Sequence, residues 1–330
     1  MMNDYKLSII IAMYNIEYYI EHCLDTCVNQ IGVSESDYEI IVVNDGSTDS
    51  SVDKVSKFVL KYSNVRLLNK KNGGLSDARN YGLSNCTGEY VWFVDGDDAI
   101  TSDAVGIILE NISNRNDAYI INFSTFSQNG VILRSSAFKN IDPPVSGNAY
   151  HHQTGRILPV MAWLTIYRID FLRNNNLIFC KNILHEDFEF SVRAHHLSHS
   201  ISSIPNNLYL YRIERTGSIM SDVNVKCVKS LKSHIDILDS FKLHFYDELN
   251  SEFFRNLCEI CAVGYFETYY RASGYKDSVA RAYFLETRKV MYKELRSSRR
   301  IKRIIFFVAI IFLPDFVLSQ FFRNSAVKLM

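Results

Sequence analysis

Two clusters of acidic residues are the parts of this 330-residue sequence best suited to chemistry. The first, Asp95-Gly96-Asp97-Asp98, directly follows an apolar run, so that several carboxylates would point at one place at the end of a strand. A cation relieves the repulsion between such carboxylates, and a hard divalent metal completed by phosphate oxygens is the natural candidate. An acidic turn that caps the following helix, with Asp98 or Ser102 as the cap, explains the same residues without a metal. The cluster alone leaves both interpretations open.

The second cluster, Asp45-Gly46-Ser47-Thr48-Asp49, also follows an apolar run, and the segment Asn72–Gly82 adds glycines and one arginine. Asp45 is placed to accept an N–H from a nucleobase or the hydroxyls of a ribose. An ordinary turn with Asp49 as the helix cap is the alternative. Glycines permit close backbone approach to a ligand, and Arg79 offers a planar fork to phosphate or sugar oxygens.

The elements that must position these residues follow a β-α-β-α-β-α-β pattern in the first hundred residues. Strands are predicted at Leu7–Asn15, Glu39–Asp45, Val65–Asn69 and Tyr90–Asp95, and helices at Ile16–Gln30, Ser50–Tyr62 and Ser76–Ser84. This alternation is typical of βαβ units and a mainly parallel sheet. Ligands bind outside the carboxyl ends of the strands in open sheets of this kind, so we expect the polar clusters to meet there.

The remainder of the chain changes character twice. Residues 118–215 predict short antiparallel or mixed strands and a helix that begins near Glu186. From about residue 222 the pattern is helical, with segments near 225–247, 250–272 and 276–297. Five cations between Arg296 and Arg303 then precede the apolar run Ile304–Leu313 and Pro314. A helix over Ile304–Leu318 would be about 22 Å long, which is too short to span a bilayer and suits a segment lying at an anionic membrane surface. A terminal helix packed against the rest of the chain is the alternative.

Composition excludes several classes of protein. Lys+Arg 36 against Asp+Glu 36 removes the broad positive field expected of a nucleic-acid-binding protein. Seven cysteines are an odd number and favour free thiols in a reducing, cytoplasmic compartment. The sequence contains no Gly-x-Ser-x-Gly, Walker or Gly-x-Gly-x-x-Gly motif, so hydrolases, P-loop NTPases and dinucleotide oxidoreductases have no local support.

Taken in order, the motifs resemble those of the family 2 glycosyltransferases. The resemblance rests on Val43–Asp49, Asn72–Gly82 and the DxD-type Asp95–Asp98, and continues through Trp163, His185–Phe190, Tyr211-Arg212 and Gly217-Ser218. It implies an α/β chain with the GT-A fold, a Rossmann-like, mainly parallel sheet with helices on both faces. It also implies a nucleotide-sugar transferase domain at 1–220. The helical pattern and the basic, apolar run beyond it indicate a helical extension at 221–295 and a membrane-associating tail at 296–330.

The resemblance also implies a reaction, an inverting sugar transfer from a UDP-sugar with Mn²⁺ or Mg²⁺ as cofactor. Carried over by position, Asp45 would contact uracil, Asp95 the ribose or sugar and the metal, Asp97 the metal, and Asp98 the donor sugar. Arg79 would bind the nucleotide sugar, and Arg212 and Arg215 would close over its diphosphate, with surface ion pairing as the alternative for these last two arginines. Asp187 would be the general base, and Glu186 is the competing candidate. A carboxylate beside another carboxylate has its pKa raised toward the range useful to a base.

The implied acceptor is an undecaprenyl-diphosphate-linked saccharide with a terminal N-acetylhexosamine, at the inner face of a bacterial inner membrane, in O-antigen or capsule biosynthesis. Glucose or galactose in β-linkage is the favoured transferred sugar. Processive relatives carry an Arg/Gln-x-x-Arg-Trp motif, whereas Arg215 is followed here by Thr216, so we expect one sugar per encounter. A sugar-phosphate nucleotidyltransferase and a non-catalytic nucleotide-sugar-binding module remain the rivals. The former would carry a Gly-rich, Arg-containing loop after the first strand, where this chain has Met13–Ile16.

Overall fold

The computed structural model describes residues 5–127, 130–136, 138, 140–154, 156–213, 223–271 and 278–296. The chain divides into two compact units, the first made of residues 1–182 and 186–216 and the second of 183–185 and 217–330. The predicted domain boundary at residue 220 lies outside the described residues, and so does the predicted membrane-associating tail beyond Arg296. Within the described part of the chain, no helix combines the length and the apolar character needed to cross a membrane.

The first unit is built on one nine-stranded sheet. Its strands are β1 (Leu7–Met13), β2 (Tyr38–Asn44), β3 (Val65–Asn69), β4 (Tyr90–Asp95), β5 (Ala99–Ile100), β6 (Ala118–Phe126), β7 (Ile132–Ser135), β8 (Thr165–Arg168) and β9 (Ile201–Arg212). The spatial order is β3-β2-β1-β4-β8-β6-β9-β5, and β7 pairs with β6. The first four strands are parallel, β8 pairs antiparallel with β4 and β6, and β6 pairs parallel with β9. The predicted parallel first half and mixed second half are confirmed.

Among the described residues of this unit, seven α-helices flank the sheet. They are α1 (Ile20–Val28), α2 (Ser51–Lys61), α3 (Leu75–Asn85), α4 (Ala104–Asn111), α5 (Gly147–Thr154), α6 (Ile169–Asn174) and α7 (Glu186–Leu197). Strands β1 and β2 are almost wholly buried because apolar clusters cover both faces of the sheet. The α/β sheet with helices on both faces that the sequence predicts is therefore present.

Most predicted boundaries in the first hundred residues fall within about two residues of the observed ones, and the largest difference is at the start of helix α1. Helix α1 begins at Ile20 rather than Ile16: residues 16–19 form a separate turn, closed by the Tyr19 N–H on the Ile16 carbonyl at 2.9 Å, and Tyr19 at the N-cap has a non-helical φ of −122°. The residues immediately before strand β8, Ala162–Leu164, form a short 3₁₀ turn. In that turn the Trp163 carbonyl accepts the indole N–H of Trp92 at 2.9 Å.

The second unit is helical, as predicted. Its helices are α8 (Val223–His244), α9 (Glu252–Arg271) and α10 (Ser278–Arg296). Buried aromatic rings form much of its core, and the ring of Phe284 stacks on that of Tyr269 with centroids 3.7 Å apart. The short segment 183–185 belongs to this unit, and the Leu184 N–H donates to the Ser233 hydroxyl at 2.8 Å.

Candidate active site

The two acidic clusters lie at the same edge of the sheet, as the strand-end argument predicts. Met13 of β1 is in register with Asn44 of β2, and Ala12 is in register with Asp95 of β4. Asp45 therefore begins the loop after one strand, while Asp95 ends the strand on the other side of β1.

Arg79 joins the acidic turn to the start of helix α7. Its side chain is only 4% exposed, and it donates from Nη2 to Asp95 Oδ1 at 2.8 Å and from Nη1 to Glu186 Oε1 at 2.9 Å. Burial lowers the pKa of Arg79, but the surrounding carboxylates Asp95, Glu186 and Asp187 outweigh burial and raise the pKa overall. The guanidinium is consequently a fixed positive charge at the centre of the acidic cluster.

Asp187 follows Glu186 on the first turn of α7 and has the properties of a base. Burial and the neighbouring Glu186 raise the pKa of Asp187 to about 6, against opposing effects from Arg79 and from the Phe188 N–H. That N–H donates to Asp187 Oδ1 at 2.8 Å. The Glu186 carboxylate is engaged by Arg79, whereas Asp187 carries the carboxyl group whose pKa lies near neutral pH. The predicted role of Asp187 as the base, with Glu186 as the competing candidate, stays a prediction.

Asp45 organises the loop that follows β3. Its Oδ1 accepts from Lys70 Nζ at 2.5 Å and from the Gly73 N–H at 2.9 Å, and its Oδ2 accepts from the Gly74 N–H at 2.7 Å. Lys70 also pairs with Asp77 on α3 at 2.6 Å. The predicted contact of Asp45 with uracil stays a prediction, and the loop that would enclose the base is in contact with this carboxylate.

Asp98 is the buried last residue of the acidic turn Asp95–Asp98. It is 1% exposed, and burial, followed by the charges of Asp97 and Asp95, raises its pKa well above the ordinary value. Its Oδ2 accepts the Tyr209 hydroxyl at 2.6 Å, and its Oδ1 accepts the Arg212 N–H at 2.7 Å. Its predicted approach to the donor sugar stays a prediction.

Arg212 is in contact with the same turn. Its Nε donates to the Asp97 carbonyl at 2.7 Å, Nη2 lies 3.1 Å from His22 Nδ1, and the guanidinium carbon is 4.4 Å from the centre of the Phe126 ring. The predicted contact of Arg212 with the diphosphate stays a prediction. Arg215, Gly217 and Ser218 lie outside the described residues.

The carboxylates of Asp95 and Asp97 suit a hard divalent cation. Both side chains offer carboxylate oxygens on one short turn. Both are partly exposed, and 29% of the Asp95 side chain is accessible to solvent. Among the described residues, no three acidic, histidine or cysteine side chains gather closely enough to hold a metal by themselves. The donor set therefore fits an ion that takes few protein ligands and completes its coordination with phosphate oxygens.

Sequence reasoning missed Lys70 and Tyr209. Lys70 directly follows β3, so the strand-end rule that selected Asp45 and Asp95 applies to it as well. Tyr209 had no such signal, because a tyrosine within a β-rich run is ordinarily part of the core.

Comparisons with known proteins identify a sequence family and several curated relatives. Residues 8–174 match the sequence model of a family described as Glycosyl transferase family 2. The chain is 32% identical over 246 residues to the poly(ribitol-phosphate) beta-glucosyltransferase of Bacillus spizizenii, a match that covers 74% of this chain and 38% of that protein. The matches of this chain to two other curated relatives cover 70% and 32% of the lengths of those relatives.

Two solved structures share the fold. Staphylococcus aureus TarS 1-349 in complex with UDP-GlcNAc aligns with a TM-score of 0.62 and 23% identity, covering 88% of this chain and 91% of that one. The mannosyltransferase PcManGT from Pyrobaculum calidifontis, in complex with GDP-Man and Mn²⁺, aligns with a TM-score of 0.54 and 12% identity, covering 97% and 87%. At these identities the likeness concerns the fold alone.

Proposed function

Because the chain belongs to glycosyl transferase family 2, we propose that it transfers a hexose from a UDP-sugar to a saccharide acceptor with inversion at the anomeric carbon. The observation that carries the proposal is the pair of contacts made by Arg79 to Asp95 and Glu186. These contacts hold the turn Asp95–Asp98, which suits the metal and diphosphate of a nucleotide sugar, next to helix α7, which carries Asp187.

The reaction follows from the roles of these groups. Asp187 removes the proton of the acceptor hydroxyl as its oxygen attacks the anomeric carbon on the face opposite the departing UDP. A new C–O bond forms, the bond from the anomeric carbon to the diphosphate oxygen breaks, and its electron pair leaves on UDP. The proton remains on the Asp187 carboxylate and then passes to solvent. A carboxyl with a pKa of about 6 is ionised at neutral pH and still basic enough to accept it.

The donor would be held by the strand-end residues. Asp45 and the loop that it organises would bind uracil. Asp95 would contact the ribose or the donor sugar, and Asp98 would approach the donor sugar. Asp95 and Asp97 would hold Mn²⁺ or Mg²⁺, which neutralises charge on the departing diphosphate when bound. Arg79 and Arg212 add positive charge beside these carboxylates. Glucose or galactose remains the proposed transferred sugar, and β the proposed linkage.

We propose a lipid-diphosphate-linked saccharide ending in N-acetylhexosamine as the acceptor, in O-antigen or capsule biosynthesis. The cationic and apolar sequence from Arg296 to Leu313 supports attachment to the cytoplasmic leaflet that carries such a lipid. The name of the Bacillus spizizenii relative favours a second candidate acceptor, poly(ribitol phosphate).

The test is a panel of UDP- and GDP-sugars, incubated with Mn²⁺ and each acceptor in turn, with product detected by mass. We expect transfer from a UDP-hexose to the synthetic lipid-diphosphate N-acetylhexosamine, and loss of that product when the metal is chelated. Product formed only on poly(ribitol phosphate) would contradict the proposed lipid-linked acceptor but would support the proposed transferase activity. A protein that binds UDP but forms no product with any donor would instead be the non-catalytic module.

A further inference from the structure

The end of strand β9 holds the acidic turn Asp95–Asp98 in place. We propose that Tyr209 is a positioning residue for the metal-binding turn and acts through Asp98. This proposal rests on the proposed function, since it takes Asp95 and Asp97 as the ligands of the cation.

A single hydroxyl contacts both ends of the turn. Tyr209 Oη donates to Asp98 Oδ2 at 2.6 Å and accepts the backbone N–H of Asp95 at 3.2 Å. The turn itself is closed by the Asp98 N–H, which donates to the Asp95 carbonyl at 3.0 Å. The hydroxyl therefore sets the position of the first residue of the turn relative to the fourth, and Asp97 lies between them.

The tyrosine ring is itself held firmly. Tyr209 is fully buried, and its ring stacks on Trp163 with centroids 4.2 Å apart and planes 9° apart. Strand β5, immediately after the turn, pairs with β9 at Ala99–Leu210 and Ile100–Tyr209. A turn attached to a buried ring and a paired strand has little freedom to rearrange.

Arg212 reinforces this arrangement from the same strand. Its N–H donates to Asp98 Oδ1, and its Nε donates to the Asp97 carbonyl, both at 2.7 Å. Each carboxylate oxygen of Asp98 thus accepts a hydrogen bond from β9. Ordering of ligands by a supporting group is a general feature of metal sites, and its loss typically costs about 10–100-fold in metal affinity.

The experiment is Mn²⁺ titration of Tyr209→Phe in the presence of UDP, by calorimetry and by the electron paramagnetic resonance of free Mn²⁺. We expect Mn²⁺ to bind about 10–100-fold more weakly, while transfer at saturating Mn²⁺ recovers to within about threefold of wild type. The matched control is Tyr38→Phe, which removes another buried hydroxyl, one that donates to the Cys27 carbonyl at 2.9 Å. That control should leave Mn²⁺ affinity unchanged.

A folded Tyr209→Phe variant with wild-type Mn²⁺ affinity would overturn the proposal. Should that variant fail to fold, Trp163→Phe replaces it, because this change loosens the stack but keeps the hydroxyl. If Trp163→Phe binds Mn²⁺ more weakly than wild type, by less than the loss expected for Tyr209→Phe, the proposal is supported. If Trp163→Phe binds Mn²⁺ with wild-type affinity, the proposal is contradicted. A wild-type protein that shows neither Mn²⁺ binding nor transfer would instead contradict the proposed function.

Discussion

Arg79 and Glu186 are 107 positions apart in the sequence, yet Arg79 Nη1 lies 2.9 Å from Glu186 Oε1. The other terminal nitrogen of the same guanidinium lies 2.8 Å from Asp95 Oδ1. One buried arginine thus occupies the place where three carboxylates, including Asp187, would otherwise repel one another. It also engages Glu186, which leaves Asp187 as the better candidate base.

Substitution of Arg79→Lys should impair both catalysis and stability. A lysine keeps the charge but lacks the planar fork that reaches both carboxylates. We expect kcat to fall at least about 10-fold, and the free energy of unfolding to fall by about 1–3 kcal/mol. Steady-state kinetics and urea unfolding provide the two measurements.

The control for Arg79→Lys is Arg66→Lys. Arg66 pairs with the buried Glu39 at 2.7 Å, outside the acidic cluster. Arg66→Lys should lose a comparable part of its free energy of unfolding and keep the wild-type kcat. Equal losses of kcat in the two variants would mean that Arg79 is only structural.

The transfer rate should depend on the ionisation of Asp187. Since a base must be deprotonated, kcat should rise with pH and level off above an apparent pKa of about 6. Single-turnover transfer between pH 5 and 8 measures this directly. A rate that does not change across this range would remove Asp187 as the base.

The raised pKa of Asp187 also predicts a cost in stability. Its pKa is about 6 in the folded state against an ordinary 3.8, so the folded protein binds more protons between these values. The contribution of Asp187 to the free energy of unfolding therefore decreases as pH rises from about 4 to 6. Asp187→Asn should become progressively more stable than wild type over this window, and the difference should then level off.

Urea unfolding at several pH values tests that stability difference. Asp53→Asn, which alters an exposed aspartate on α2 outside the acidic cluster, is measured in parallel as the control. A difference that is constant with pH would show that the Asp187 carboxyl ionises normally in the folded protein.

Asp45→Asn should weaken donor binding. An amide cannot supply two negatively charged oxygens to Lys70 and to the N–H groups of Gly73 and Gly74. We expect UDP affinity to fall about 10-fold or more, with a smaller change in kcat at saturating donor. Calorimetric titration with UDP gives the affinity.

Asp77→Asn is the control for the Asp45 variant, because it removes the other carboxylate partner of Lys70 and leaves both glycine contacts. Its UDP affinity should stay close to that of wild type. If both variants bind UDP equally weakly, the effect belongs to Lys70 rather than to Asp45.

The sequence predicted those features that depend on local pattern. Strands β3 and β4 begin and end where the apolar runs do, and Asp45 and Asp95 meet because carboxyl ends of parallel strands share an edge. The contact of Arg79 with Glu186 has no local signal, since it depends on how α3 and α7 pack. The same holds for Tyr209, whose role depends on the pairing of β5 with β9.

The central claim is that Asp187 is the base of a metal-dependent hexosyl transfer. The direct measurement is single-turnover product formation by wild type, Asp187→Asn and the control Asp53→Asn, with Mn²⁺ and the donor identified by the panel. We expect Asp187→Asn to bind UDP as wild type does and to transfer sugar about 10²–10⁴-fold more slowly, while Asp53→Asn keeps the wild-type rate. Transfer by Asp187→Asn at the wild-type rate would contradict the account.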